Sequence, residues 1–164
     1  MRTERLLLRR ARRDDLRAMH AILSDPRAMR YWSTPPHTAL AETQEWLDDM
    51  VDAPPEAADD YMVELDGRLV GKAGCWRVPE VGFIFHPDVW GQGIAQEALR
   101  AVLPLVFARF GMAALVADVD PRNADCLRLL GRLGFHETGR LANTWQVGGV
   151  SCDSVYLALA NPSC

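Results

Sequence analysis

Residues 80 to 110, "EVGFIFHPDVWGQGIAQEALRAVLPLVFARF", run from a strand-like stretch through a glycine turn into a helical pattern, and "ALVADV" follows. A strand joined to the next strand through a helix forms a right-handed crossover with the two strands parallel. That excludes an all-helical bundle and a purely antiparallel sandwich. Gly91 and Gly93 stand at the helix start, although glycine disfavours helix by about 1 kcal/mol relative to alanine. Curling through "WGQGIA" leaves unpaired amides at a helix N-terminus, which suits an anion. A plain tight turn is the other reading of the same glycines. A Walker loop is excluded because no Lys or Ser/Thr follows Gly93, and a Rossmann fingerprint because Gln96 stands where a third glycine belongs.

The flanking segments define the rest of an α/β fold. "RLLLRR" reads as a strand, and Leu16, Met19, His20 and Leu23 recur on one helix face with Asp14 as a cap. Thr38 is expected to cap a second helix carrying Leu40, Leu47, Met50 and Val51. A meander follows, "YMVEL", "LVGKAGCWRV" and "EVGFIF", with Asp66-Gly67 as a hairpin turn. "NADCLRLLGRL" is a helix stopped by Gly134, and "GFHETGRL" and "SVYLALA" are the closing strands.

With 164 residues, 49% of them hydrophobic, the chain is expected to form a single domain over 1–164, with a core that needs no disulfide or metal. A net charge of −4 gives no overall basic field for nucleic acid. The run Arg9 to Arg13 reads as a solvated strand end, since Asp14 and Asp15 follow, with a ribosome or nucleic-acid contact as its other reading. Cys75, Cys126, Cys152 and Cys164 form no CxxC pair and no leader is recognisable, which suggests a reducing, cytoplasmic setting. Neither a metal cluster nor an apolar run of membrane length is present in the sequence.

The segments "TERLLLR", "YW", "EVGFIFHPDVWGQGIAQEAL" and "VDPRNADCLRLLGRLGF", in this order, resemble the GNAT superfamily of acetyl-CoA-dependent N-acetyltransferases, nearest the ribosomal-protein N-terminal acetyltransferase branch. The resemblance implies a mixed, mostly antiparallel sheet whose central parallel pair splays around acetyl-CoA, with helices on both faces. It also implies that amides from Trp90 through Gly91, Gln92, Gly93 and Ile94 to Ala95 hold the pyrophosphate. Phe85 would pair by backbone with the pantetheine arm, and Asn123 would hold that arm from the other side. Tyr31 and Trp32 would line the acceptor pocket, whereas Trp76 and Trp145 are read as core aromatics. The implied partners are acetyl-CoA and a primary amine, either a peptide N-terminus or a small molecule, with no metal, nucleic acid or membrane, and the chain a monomer or homodimer.

Acetyl transfer to an amine requires a neutral nitrogen. A lysine-type amine of pKa near 10.4 is neutral in about one molecule in a thousand at pH 7.4, a penalty of roughly 4 kcal/mol, whereas an α-amine loses well under ~1 kcal/mol. Glu80 is the candidate base and Glu64 the alternative; a solvated strand-end carboxylate is the plain reading of Glu80. His86, before Pro87, is read as setting loop geometry. The departing thiolate needs a proton. Relatives use a tyrosine where this chain has Leu130, and the branch uses a serine where it has Cys126, so Cys126 is read either as that acid or as a small core residue. Arg128 and Arg132 could meet the 3′-phosphate or simply face solvent. A CoA-binding sensor without catalysis is the alternative function.

Overall fold

The computed structural model describes residues 1–162. Cys164 lies outside them, and Cys75, Cys126 and Cys152 are free thiols. The elements are β1 (Leu6–Arg9), α1 (Leu16–Leu23), α2 (Leu40–Asp52), β2 (Asp59–Leu65), β3 (Arg68–Arg77), β4 (Glu80–Phe85), α3 (Ile94–Phe110), β5 (Ala114–Val119), α4 (Ala124–Arg132), β6 (His136–Val147) and β7 (Val150–Ala160). All seven strands form one sheet in the order β1-β2-β3-β4-β5-β7-β6. Only β4 and β5 are parallel; every other neighbour is antiparallel. This is the mixed sheet and crossover expected from the strand, glycine turn and helix.

The two faces are covered by different helices because side chains alternate along a strand. Met62 and Ile84 pack with Met19, Ile22, Leu23 and Leu47 of α1 and α2. Their neighbours Val63 and Phe85 face the opposite core, which takes Ile94, Ala98, Val102 and Val106 of α3. Pro104 is accommodated inside α3.

Four local expectations change. Asp15, not Asp14, organises the entry to α1: its carboxylate accepts from the Arg12 amide at 2.8 Å and from the Arg9 guanidinium at 2.6 and 2.8 Å. α2 begins after Ala39, and Glu42 reaches back to the amides of Thr38 and Ala39 at 2.6 and 2.7 Å, so Thr38 is not its cap. Leu40 is exposed and leaves the buried stripe. The basic run is also not solvated throughout. Arg9 is held by Asp15 and Glu64, Arg10 by Asp59, and Arg13 by Asp48 and Asp52.

Turn chemistry follows the sequence more closely. Asp66 and Gly67 take positive φ of 52° and 76° in the β2–β3 hairpin. Gly134, at φ 94°, ends α4, and the Phe135 amide returns to the Leu130 carbonyl at 3.1 Å. β6 and β7 extend further than expected, because Gly148-Gly149, with φ of 55° and 80°, closes a long hairpin.

Candidate active site

The parallel strands touch at one end and separate. Glu80 is registered with Val116, and the Val116 amide donates to the Pro79 carbonyl at 3.0 Å. Beyond this point no further pairing joins β4 to β5. On its other side β4 stays paired to β3, and the His86 amide donates to Val70 at 2.8 Å. Alternation along that ladder turns the backbone groups of Phe83 and Phe85 toward the fork. One of them has a partner: the Trp90 indole Nε1 donates to the Phe85 carbonyl at 2.9 Å.

The same bond ties the glycine turn to the end of β4. Gly91 and Gly93 have φ of 72° and 77°, the left-handed region in which a side chain is strained. A Cβ at Gly91 would meet nothing within 4 Å, and at Gly93 only an Arg5 nitrogen at 3.6 Å. Backbone conformation, not crowding, therefore requires these glycines. The first bond of α3 runs from the Glu97 amide to the Gly93 carbonyl at 3.0 Å, which places the amides of Ile94, Ala95 and Gln96 ahead of it. Those amides, with the aligned helix dipole, suit a phosphate. Glu97 in the same turn would oppose an anion, but Arg5 binds it at 2.7 Å, and Arg5 also donates to the Gln92 carbonyl at 3.0 Å. The Gln92 side chain donates to the Asp88 carbonyl at 2.8 Å, leaving its backbone for the turn. His86 Nδ1 accepts from the Asp88 amide at 3.2 Å and shapes the approach, as its place before Pro87 suggests.

On the α1/α2 face of the sheet a cavity of 690 Å³ opens beside the fork. Alternation along β4 puts Glu80 and Gly82 on this face, with Asp60 and Lys72 from β2 and β3. Tyr31, Trp32, Trp46, Trp76 and Trp145 supply its aromatic wall. Six carboxylates line it, Asp49, Asp60, Glu80, Asp118, Asp120 and Asp153, against the three cations Arg10, Arg30 and Lys72. Two are neutralised closely: Asp60 by Lys72 at 2.6 Å, both side chains buried, and Asp120 by Arg122 at 2.6 Å. Pairing with Arg122 holds the Asp120 carboxyl below its usual range. Asp118 accepts from the Trp145 indole at 3.0 Å and Asp153 from the Asn143 amide at 2.9 Å. Among the described residues the Glu80 carboxylate is paired with Arg77 alone, at 3.6 Å.

The profile of the acetyltransferase (GNAT) domain family matches residues 5–136. The chain belongs to that family. This GNAT chain is an acetyl-CoA-dependent N-acetyltransferase. It is 27% identical over 151 residues to the spermidine N(1)-acetyltransferase of Escherichia coli (strain K12), spanning 87% of this chain and 78% of the relative. The fold is shared with spermidine N-acetyltransferase from Vibrio cholerae, solved in complex with CoA and spermine, at a TM-score of 0.82 and 22% identity over 96% of each chain. It is also shared with an acetyl transferase from Salmonella typhimurium that modifies the N-terminal serine of a 50S ribosomal subunit protein, at a TM-score of 0.84 and 20% identity over 97% of this chain and 96% of that one. The acceptors of these neighbours differ, so fold likeness does not choose between them.

Within the GNAT chain, Glu80, Tyr31 and Trp32 meet at the cavity, while Phe85, Trp90 and the glycine turn meet at the fork. Glu64 is turned to Arg9 at 2.6 Å, away from the cavity lining. Asn123 caps α4 and accepts from the Cys126 amide at 3.2 Å. Cys126 packs against the main core, and burial pushes its thiol up to about 12. Leu130 is fully buried. Arg128 pairs with Asp125 on the exposed face of α4. Arg5 and Lys72 escaped the sequence reading: "TERLLLR" contains Arg5 but nothing local ties it to Gly93, and a lysine in a strand normally reads as exposed. Among the described residues no group of three or more His, Cys, Asp or Glu is placed to hold a metal, and no helix is long and apolar enough to cross a membrane.

Proposed function

We propose that this enzyme, acting as a single domain, acetylates a small primary amine that carries additional positive charge. The observation that carries the reading is the surplus of carboxylates facing an aromatic-walled cavity at the strand fork. Such a surface attracts a cation and holds it by charge and by aromatic faces. The Trp90 amide already donates to the Pro87 carbonyl at 3.1 Å, so the amides from Gly91 to Gln96 receive the pyrophosphate, supported by Arg5, and the backbone of Phe85 receives the pantetheine arm once the Trp90 indole yields. Asn123 faces the arm from α4.

An alkylammonium must lose a proton before it can attack. Glu80 takes it at the cavity floor, the nitrogen bonds to the thioester carbonyl carbon, and the C–S bond breaks. The high thiol pKa of Cys126 makes it a reluctant donor, so the leaving sulfur takes the second N–H proton of the attacking nitrogen. One proton is released for each amide formed. Transfer is direct, with no acyl-enzyme.

The test is mass-spectrometric detection of acetylated product across linear diamines and polyamines, amino acids, aminoglycosides and peptides of varied N-terminus. Turnover confined to multiply charged amines supports the reading, and preference for neutral peptides overturns it. No product from any amine, with acetyl-CoA still raising the melting temperature, points to the sensor function.

A further inference from the structure

His37 belongs to the cavity wall, in the segment that carries Tyr31 and Trp32 from α1 to α2. Its Nδ1 lies 2.9 Å from Thr43 Oγ1, and the same hydroxyl lies 2.7 Å from Nδ1 of His20. Thr43 is fully buried, so water does not substitute for either ring. The His37 amide is tied to the Leu23 carbonyl at 2.8 Å, which fixes the ring's base. A hydroxyl has one proton to donate. With both imidazoles neutral, one ring must donate to Thr43 and the other must accept from it. The two tautomers are therefore coupled, and the state with His37 Nδ1–H leaves its Nε2 lone pair free to accept a proton.

Resting on the acceptor reading above, we propose that His37, Thr43 and His20 form one proton-accepting unit that clears the proton released by the acceptor amine. A proton taken by Glu80 has to leave before the next ammonium is deprotonated, and His37 is the imidazole lining the cavity. The proton crosses cavity water to His37 Nε2. The His37 Nδ1 proton can then move to Thr43 and the hydroxyl proton to His20 Nδ1, which spreads one positive charge over two rings. When amide and CoA have left, the unit returns its proton to water. It takes up one proton with all its hydrogen bonds kept. A second would leave both rings donating to Thr43 and its hydroxyl proton without a ring to accept it.

Desolvation lowers the His37 pKa; Glu42 on α2 opposes this and His20 on α1 reinforces it. His37 is therefore neutral and able to receive a proton at physiological pH. Glu42 is engaged with the Thr38 and Ala39 amides.

The experiment compares wild type with H37A, H37Q and T43V. Turnover at pH 7 should fall about tenfold in all three, less than the roughly hundredfold or more expected for a group that moves the proton in the transition state itself. Added imidazole should restore H37A but not T43V, and the pH profile should lose its histidine limb. Turnover within about twofold of wild type, with an unchanged profile in H37A and H37Q, overturns the proposal. Should T43V fail to fold, those two variants decide the matter. A readout independent of acetylation comes from NMR titration of the His20 and His37 Cε1–H signals in the ligand-free protein. On acidification the two signals should move together as one proton is taken up, and two rings titrating independently overturn the unit. If wild type acetylates no amine while this coupled uptake is seen, the acceptor reading fails and the paired unit stands.

Discussion

The Trp90 indole donates to the Phe85 carbonyl at 2.9 Å, so the glycine turn is latched to the strand whose backbone faces the fork. This orders the turn but occupies a carbonyl that the pantetheine arm would need. Trp90→Phe keeps the ring and removes the donor. With a hydrogen bond contributing about 1 kcal/mol net, the expected change is a severalfold shift in acetyl-CoA affinity by calorimetry, with the KM for amine unchanged. A tighter complex would identify the indole as a competitor, and a weaker one as an organiser of the turn.

Lys72 and Asp60 form a buried pair that single substitutions should expose. Lys72→Met or Asp60→Asn leaves an uncompensated charge and should lower unfolding free energy by about 3–5 kcal/mol. The double variant should recover much of that loss. Denaturant unfolding of the three proteins measures it, and equal losses in singles and double would mean that the pair is not coupled.

Glu80→Gln should lower kcat/KM for alkylamines by about a hundredfold, within the range for a general base, and affect α-amines far less. The contrast follows from the larger neutral fraction of an α-amine at pH 7.4. An equal loss for both classes would indicate that Glu80 binds the cation rather than taking its proton.

Burial pushes the thiols of Cys75 and Cys126 up to about 12. An unfolded thiol ionises near ~8.5, so the folded values are raised. Their contribution to stability is fully present below that value and is lost as pH rises toward about 12. Denaturant midpoints should fall on alkaline titration, less steeply in Cys126→Ala. Peptide-resolved alkylation at pH 8 should label Cys152 in the native protein, the half-buried Cys126 more slowly because its thiol is raised, and the buried Cys75 only after unfolding.

Cys126 also tests the chemistry. If the leaving sulfur draws its proton from the attacking nitrogen, Cys126→Ser and Cys126→Ala should both turn over near the wild-type rate. A selective loss in Cys126→Ala would restore the thiol as acid.

Order and turn were legible in the chain because each depends on residues close in sequence. The crossover follows from strand, glycine turn and helix in succession, and Gly91 and Gly93 mark the positive φ that the turn adopts. The hairpin at Asp66-Gly67 and the stop at Gly134 are equally local. Asp14 and Thr38 were plausible caps by residue type, but Asp15 and Glu42 won those amides through contacts with Arg9 and by reaching back along the helix. Lys72 with Asp60, Arg5 beside Gly93, and His37 sharing Thr43 with His20 join separate elements. Which polar groups become partners there depends on how strands register and helices pack, so local pattern carries no trace of them. The sequence by itself determined the sheet's crossover and the glycine turn that opens α3. Tertiary structure decided the charge of the cavity and the partners of its buried groups, because burial leaves each polar atom only the neighbours that packing supplies.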